Sequence, residues 1–106
     1  MEEVLQRLRQ FRDARDWKQF HNPKDLALAL SIEASELLEV FLWKRPEEAD
    51  EEKVREELAD VLAYALQLAD TYGFDVREIV FDKIQKNERK YPMEKSTGPA
   101  EKHNDL

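Results

Sequence analysis

Two stretches of the chain, residues 23–43 and 50–72, carry apolar residues on nearly every side of a predicted helix. The first places leucines at helical spacing on several faces, with Leu26, Leu30 and Leu37 on one side and Leu28, Leu38 and Leu42 on others. The second does so with Val61 and Leu68 opposite Leu62 and Leu66. A helix without a solvated side is buried on two sides. In a chain of 106 residues, we expect one of those sides to be a subunit interface.

Helix-start and helix-stop residues divide the chain into four predicted helices. The first spans about residues 2–15, and the second begins at the Asn22–Pro23 pair, an N-cap followed by proline at the first helical position. The second extends to about Trp43. The third spans 50–72 before Gly73, and the fourth runs from the Asp75 cap to 91, before a proline. We predict an all-α four-helix bundle subunit that assembles into a dimer or tetramer, with a helical domain at 1–92 and a polar, irregular tail at 93–106.

The charge balance and residue content exclude several classes of function. The chain has 17 basic and 24 acidic residues and a net charge of −7, which opposes the phosphate attraction on which nucleic-acid binding rests. It has no cysteine, so disulfides and zinc–thiolate sites are excluded. No apolar run approaches a membrane-spanning length and the N-terminus does not read as a signal peptide. We therefore expect no nucleic-acid partner, no membrane partner and a cytoplasmic location.

Two pairs of acidic residues lie on the apolar stripes of consecutive helices. Glu33 and Glu36 form one pair, and Glu57 and Asp60 form the other. Residues three apart in a helix project from the same side, and carboxylates among leucines are costly to ionise unless something compensates them. All-oxygen ligands suit Mg²⁺ or Mn²⁺. The alternative is that the acids merely face solvent. Glu39 is a weaker candidate, as an outer ligand or a base.

Several residues on the other helices could complete a site beside these acids. Lys83 and Asn87 lie one turn apart in the fourth helix, where they would either contact phosphate oxygens or, for the lysine, extend to water. Trp17, Trp43 and Tyr64 are aromatic residues that could stack a nucleobase, although aromatics at such spacing also form cores.

The order of these motifs resembles the MazG-like all-α pyrophosphohydrolases, and within them the dCTP pyrophosphatase branch. The resemblance covers about residues 11–98 through RDWKQFH at 15–21, LALAL at 26–30, EASEL at 33–37, FLWK at 41–44, ELADVLAY at 57–64, KIQKN at 83–87 and KYP at 90–92. Ile32 stands where the wider family has a first glutamate. The branch also lacks that glutamate, so we interpret the difference as a mark of the branch.

The resemblance implies roles for individual residues. The magnesium ligands would be Glu33, Glu36, Glu57 and Asp60. The substrate contacts would be His21, Lys83, Asn87 and Tyr91, and the base would be framed by Trp17, Trp43 and Tyr64. A tetrameric bundle with helices two and three at its centre is also implied.

The predicted function is Mg²⁺-dependent hydrolysis of a nucleoside triphosphate, dCTP or a related pyrimidine nucleotide, to the monophosphate and pyrophosphate. The metal would orient the triphosphate and activate water, Glu36 or Glu39 would accept the water's proton, and Lys83 would stabilise the departing phosphates. Two alternatives remain open. One is a non-catalytic acidic helical oligomer that serves as an interaction module, and the other is a pyrophosphohydrolase for another base, such as that of dUTP or a damaged nucleotide.

Overall fold

The computed structural model describes residues 1–93, and within them all regular secondary structure is helical. The four long helices are α1 (Glu2–Ala14), α2 (Pro23–Glu39), α3 (Glu51–Thr71) and α4 (Val76–Lys90), with short 3₁₀ turns at Lys18–Phe20 and Pro46–Glu48. The prediction of an all-α chain with four helices is confirmed. The chain divides into two compact units, Met1–Gly73 and a second that begins at Phe74. The predicted irregular tail, 93–106, lies outside the described residues except for Met93.

The helix boundaries follow from the capping residues in the sequence. The side chain of Asn22 accepts a hydrogen bond from the backbone N–H of Asp25 at 2.8 Å, with a proline at the first position of α2. The Asp50 carboxylate caps α3, and the Asp75 carboxylate accepts from the backbone N–H of Glu78 at 2.9 Å to cap α4. Gly73 has a φ of 70° after α3, a backbone conformation that glycine adopts without a steric penalty.

The predicted end of the second helix is wrong by four residues. α2 ends at Glu39, and the chain continues through tight turns to Trp43, whose φ is 62°. In these turns the backbone N–H groups bond three residues back rather than four, as in the contact from Leu42 to Glu39. The left-handed conformation of Trp43 then stops any helical continuation. Trp43 therefore does not share a helix face with Glu36, and its side chain is 99% exposed in the subunit.

Within the first unit, α2 packs along α3, and α1 contacts α3. The buried apolar residues in the described part of the chain are Leu5, Leu26 and Ala69, of which Leu26 is fully buried. A side-chain ion pair joins α1 to α3, because the Arg9 guanidinium donates its Nε–H to Asp70 Oδ2 at 2.9 Å and a second hydrogen bond to Oδ1. This pairing lowers the pKa of the Asp70 carboxyl below its ordinary value.

Many large apolar side chains remain exposed on the subunit. On α2 and α3 these include Leu28, Ile32, Leu38, Leu58 and Leu62, which lie on the sides that the α2–α3 contact leaves open. No helix among residues 1–93 has both the length and the apolar character needed to cross a membrane. Exposed apolar side chains on neighbouring helical turns are typical of surfaces that contact another protein.

Candidate active site

The packing of α2 on α3 brings together three of the four acids predicted as metal ligands. Glu33 and Glu36 on α2 and Glu57 on α3 each place a carboxylate oxygen so that the three oxygens lie within 4.8 Å of one another. Carboxylate oxygens this close together are near enough to contact one cation. The i, i+3 spacing seen in the sequence thus becomes a three-carboxylate cluster between facing helices.

Two oxygen atoms of this cluster are buried without a hydrogen-bond partner among the described residues. They are Oε2 of Glu33 and Oε2 of Glu57. Burial, the hydrogen-bonding contact with Glu36 and the charges of Asp60 and Glu57 together raise the pKa of the Glu33 carboxyl to about 7, with burial the largest cause. Burial also raises the pKa of Glu57, as do the charges of Glu36 and Asp60. Buried acceptors that repel one another in this way fit a divalent cation.

Asp60, the fourth predicted ligand, lies next to the cluster but outside the group of three. Its charge acts on both Glu33 and Glu57. Asp60 and Glu36 are exposed in the subunit, whereas Glu33 and Glu57 are half-buried. The sequence-based expectation that all four acids point inward is therefore met by one member of each pair. The reason is geometric, since a step of three residues rotates the second side chain by about 60° around the helix axis.

A cavity of about 260 Å³ lies on the other side of Asp60, between α1, the first 3₁₀ turn and α3. It is lined by Leu8, Phe11, Arg12, Trp17, His21, Asp60, Ala63, Tyr64 and Gln67. The rings of Phe11 and Trp17 meet edge to face, with centroids 5.6 Å apart. The structure thus brings Trp17, His21 and Tyr64, all predicted substrate contacts, to one cavity that Asp60 also lines.

His21 has an unpartnered atom at this cavity. Its Nδ1 is buried and makes no hydrogen bond to the described residues. Burial lowers the pKa of the imidazole, and the positive charge of Arg12 lowers it further, so the ring is neutral at pH 7. A neutral imidazole has one donor and one acceptor nitrogen, which suits hydrogen bonding to a polar ligand.

Two of the remaining predicted site residues, Glu39 and Trp43, belong to neither the acid cluster nor the cavity lining. Glu39 is the exposed last residue of α2, and Trp43 is not among the described residues that line the cavity. Lys83 is exposed and Asn87 half-buried on α4, and Tyr91 follows that helix. These three belong to the second compact unit, so their roles stay predictions.

Two polar cavity residues, Arg12 and Gln67, were missed by the sequence analysis. A signal for each exists, because Arg12 continues the helical stripe of Leu5 and Leu8, and Gln67 lies one turn beyond Tyr64. Each is a polar residue in a stripe that is otherwise directed inward. Such a position predicts either an internal hydrogen bond or a ligand contact.

Facing helices that bring carboxylates together next to an aromatic cavity define a class of all-α proteins, some of which bind metal ions through such carboxylates. The comparisons with known proteins narrow this class. The model of the MazG-like family matches residues 28–106. The chain is 38% identical to dCTP pyrophosphatase 1 of Bos taurus and 34% identical to that of Homo sapiens, over 100% of this chain and 68% and 67% of those proteins.

A solved structure of a pyrophosphatase is also similar to this chain. The crystal structure of a pyrophosphatase from Archaeoglobus fulgidus is 48% identical to this chain and superposes with a TM-score of 0.82 over 87% of this chain and 92% of that one. The chain belongs to the MazG-like family. The resemblance seen in its motifs, including the likeness to the dCTP pyrophosphatase branch, is confirmed.

Proposed function

We propose that the chain is a Mg²⁺-dependent pyrophosphohydrolase that converts dCTP or a related pyrimidine nucleoside triphosphate to the monophosphate and pyrophosphate. The observation that carries the proposal is the cluster of Glu33, Glu36 and Glu57, whose carboxylate oxygens lie within 4.8 Å of one another. The predicted enzyme class, a nucleoside triphosphate diphosphatase, is confirmed by the relatives named dCTP pyrophosphatase and by the pyrophosphatase structure.

The acid cluster fits a hard divalent cation. Its donors are all carboxylate oxygens, and the buried Oε2 atoms of Glu33 and Glu57 have no other partner among the described residues. Glu33, Glu36 and Glu57 would hold Mg²⁺, with Asp60 as a fourth ligand, and Mn²⁺ is compatible with the same donors. When bound, the metal supplies positive charge to the triphosphate and acidity to a coordinated water.

The residues of the chain then have separate tasks. Glu36, or Glu39 one turn further along, accepts a proton from the attacking water. Trp17 and Tyr64 enclose the base in the cavity next to Asp60. His21 offers its unpartnered Nδ1 to the substrate. Lys83, with Asn87 and Tyr91, is proposed to bind the phosphates and to stabilise the departing pyrophosphate, and Trp43 is proposed to complete the base site.

The same proposal includes a homo-oligomer, a dimer or a tetramer built from four-helix bundle subunits. It is supported by the apolar side chains exposed on α2 and α3, among them Ile32 and Leu62, which are 58% and 53% exposed. Because few side chains are fully buried in the subunit, a second contact surface supplies apolar burial that the subunit alone lacks.

Product analysis tests the proposed reaction. The protein is incubated with each common nucleoside and deoxynucleoside triphosphate plus Mg²⁺, and pyrophosphate, orthophosphate and the nucleotide products are quantified. We expect pyrophosphate and a monophosphate in equal amounts, with dCTP among the best substrates.

The control compares two acids. Glu57→Gln should abolish the reaction without loss of helical content, whereas Glu47→Gln, on an exposed residue outside the cluster, should leave it intact. Release of orthophosphate, or no release with any nucleotide, would overturn the proposal.

A further inference from the structure

Arg12 lines the cavity beside Asp60 and carries hydrogen-bond donors that no described residue engages. Its side chain is only 16% exposed, and it lines both this cavity and a second one of about 420 Å³ that also includes His21. Its Nε–H donates to Asp13 Oδ1 at 2.9 Å. Its terminal nitrogens, Nη1 and Nη2, make no hydrogen bond to the described residues. Arg12 is the one cation among the residues that line the smaller cavity.

Gln67 lines the same cavity and carries a side-chain acceptor. Its Nε2 donates to the backbone carbonyl of Ala63 at 3.2 Å. Since a carbonyl oxygen can only accept, this contact fixes which end of the amide is nitrogen. The other end, Oε1, is therefore an acceptor, and no described residue donates to it.

The size and walls of the cavity suit one small aromatic ring. Its volume of about 260 Å³ lies just below the range of about 300–1,000 Å³ for pockets that hold drug-sized ligands. Phe11, Trp17 and Tyr64 provide the aromatic walls. A single base is small enough for this space, and Asp60 in its lining lies next to the acid cluster.

Pyrimidine bases differ in the hydrogen-bond acceptors that they offer to a guanidinium. A guanidinium fork donates two parallel hydrogen bonds and therefore needs two adjacent acceptors. Cytosine has such a pair in its N3 and O2 atoms, and its N4 amino group is a donor. Uracil and thymine separate their two carbonyl acceptors by the N3–H donor, so that the fork cannot engage both.

We propose that Arg12 and Gln67 are the residues that select cytosine, with the guanidinium fork of Arg12 on N3 and O2 and Gln67 Oε1 on the N4 amino group. This inference rests on the proposed function for the location of the base and adds the residues that determine its identity.

The test measures base preference by binding, without the need for catalysis. Calorimetry compares the affinities of dCMP, dUMP and 3-deaza-dCMP, in which a C–H replaces N3, for the wild type, Arg12→Met and Gln67→Met. Arg7→Met, an exposed arginine on the same helix, is the matched control. We expect the wild type to prefer dCMP to dUMP and Arg12→Met to weaken dCMP binding by about 5- to 160-fold.

The deaza analogue separates direct contact from a structural effect. The loss on removing N3 should be present in the wild type and in Arg7→Met but absent in Arg12→Met, because the partner of N3 is already gone. Gln67→Met should weaken dCMP binding by about 2- to 12-fold, and it should not weaken the binding of a 4-deamino analogue.

Specific results would overturn the assignment of Arg12 and Gln67 or the proposed reaction. An unchanged preference for dCMP in Arg12→Met, or tighter binding of dGMP than of dCMP, overturns the inference. If Arg12→Met does not fold, equal binding of dCMP and 3-deaza-dCMP by the wild type overturns it. A wild type that prefers dCMP but releases no pyrophosphate from dCTP would refute the proposed reaction and leave the base assignment standing.

Discussion

Replacement of Glu33 by glutamine should stabilise the metal-free protein above neutral pH. In the structure, a Glu33 oxygen lies within 4.8 Å of oxygens of Glu36 and Glu57. Two unit charges at that distance repel by about 0.9 kcal/mol even with the dielectric constant of water. Glutamine keeps the shape of the side chain and removes two such repulsions, so we expect the free energy of unfolding to rise by about 1–2 kcal/mol at pH 8 after screening by salt.

The pH dependence gives this prediction its sign. The pKa of Glu33 is raised to about 7 in the folded protein from an ordinary value of 4.5, so between these values the folded state binds more protons than the unfolded state. Stability of the metal-free wild type should therefore fall as pH rises from about 4.5 to 7. The advantage of Glu33→Gln should be absent below this window and complete above it.

The assay is thermal unfolding with and without a chelator, across pH 4 to 9, with and without Mg²⁺. The wild type should gain stability with the logarithm of the Mg²⁺ concentration, and Glu33→Gln should lose most of that gain. Glu47→Gln, outside the cluster, should match the wild type in both respects. A Glu33→Gln protein that is less stable than the wild type at pH 8 without metal, or that keeps the full Mg²⁺ response, would refute the reasoning.

The remaining predictions concern the oligomeric state, the base site and the ion pair between α1 and α3. Light scattering at micromolar concentration should give the mass of a dimer or tetramer, and a monomer would contradict the proposal that the exposed faces of α2 and α3 are covered. Trp17→Ala should weaken substrate binding by about 1–3 kcal/mol, the scale of base stacking, seen as a raised KM with unchanged helical content; an unaltered KM would assign Trp17 to packing alone. Asp70→Asn should lower the free energy of unfolding by about 1 kcal/mol at pH 7 in urea titrations, because it breaks the pair with Arg9. Since the pKa of Asp70 is lowered in the folded state, this difference should shrink as pH falls below about 4.

The sequence predicted those parts of the fold that depend on local capping and turn residues. Asn22, Asp50, Gly73 and Asp75 mark helix boundaries through capping and backbone conformation, which act within one turn of the chain. The end of α2 was missed because no glycine, asparagine or proline marks it, and Trp43 takes the left-handed conformation that such signals usually announce.

The candidate site also has parts that local sequence patterns predict and parts that depend on how the helices pack. The acid pairs were predicted because each pair lies on one helix and the two helices are consecutive. The contributions of Arg12 and Gln67 depend on how α1 packs against α3, which no local pattern specifies. Their polar positions in inward-directed stripes were nevertheless visible in the sequence, and reading those positions as ligand contacts required the cavity itself.

The left-handed turn at Trp43 costs free energy that the exposed side chain of this residue does not offset within the subunit. A residue with a side chain in the left-handed region costs about 1–2 kcal/mol relative to glycine, and an indole that is 99% exposed returns no burial to the subunit. An isolated subunit with glycine at position 43 would therefore be more stable than one with tryptophan there. Stability of the isolated subunit alone therefore does not account for an exposed tryptophan in a left-handed turn at this position.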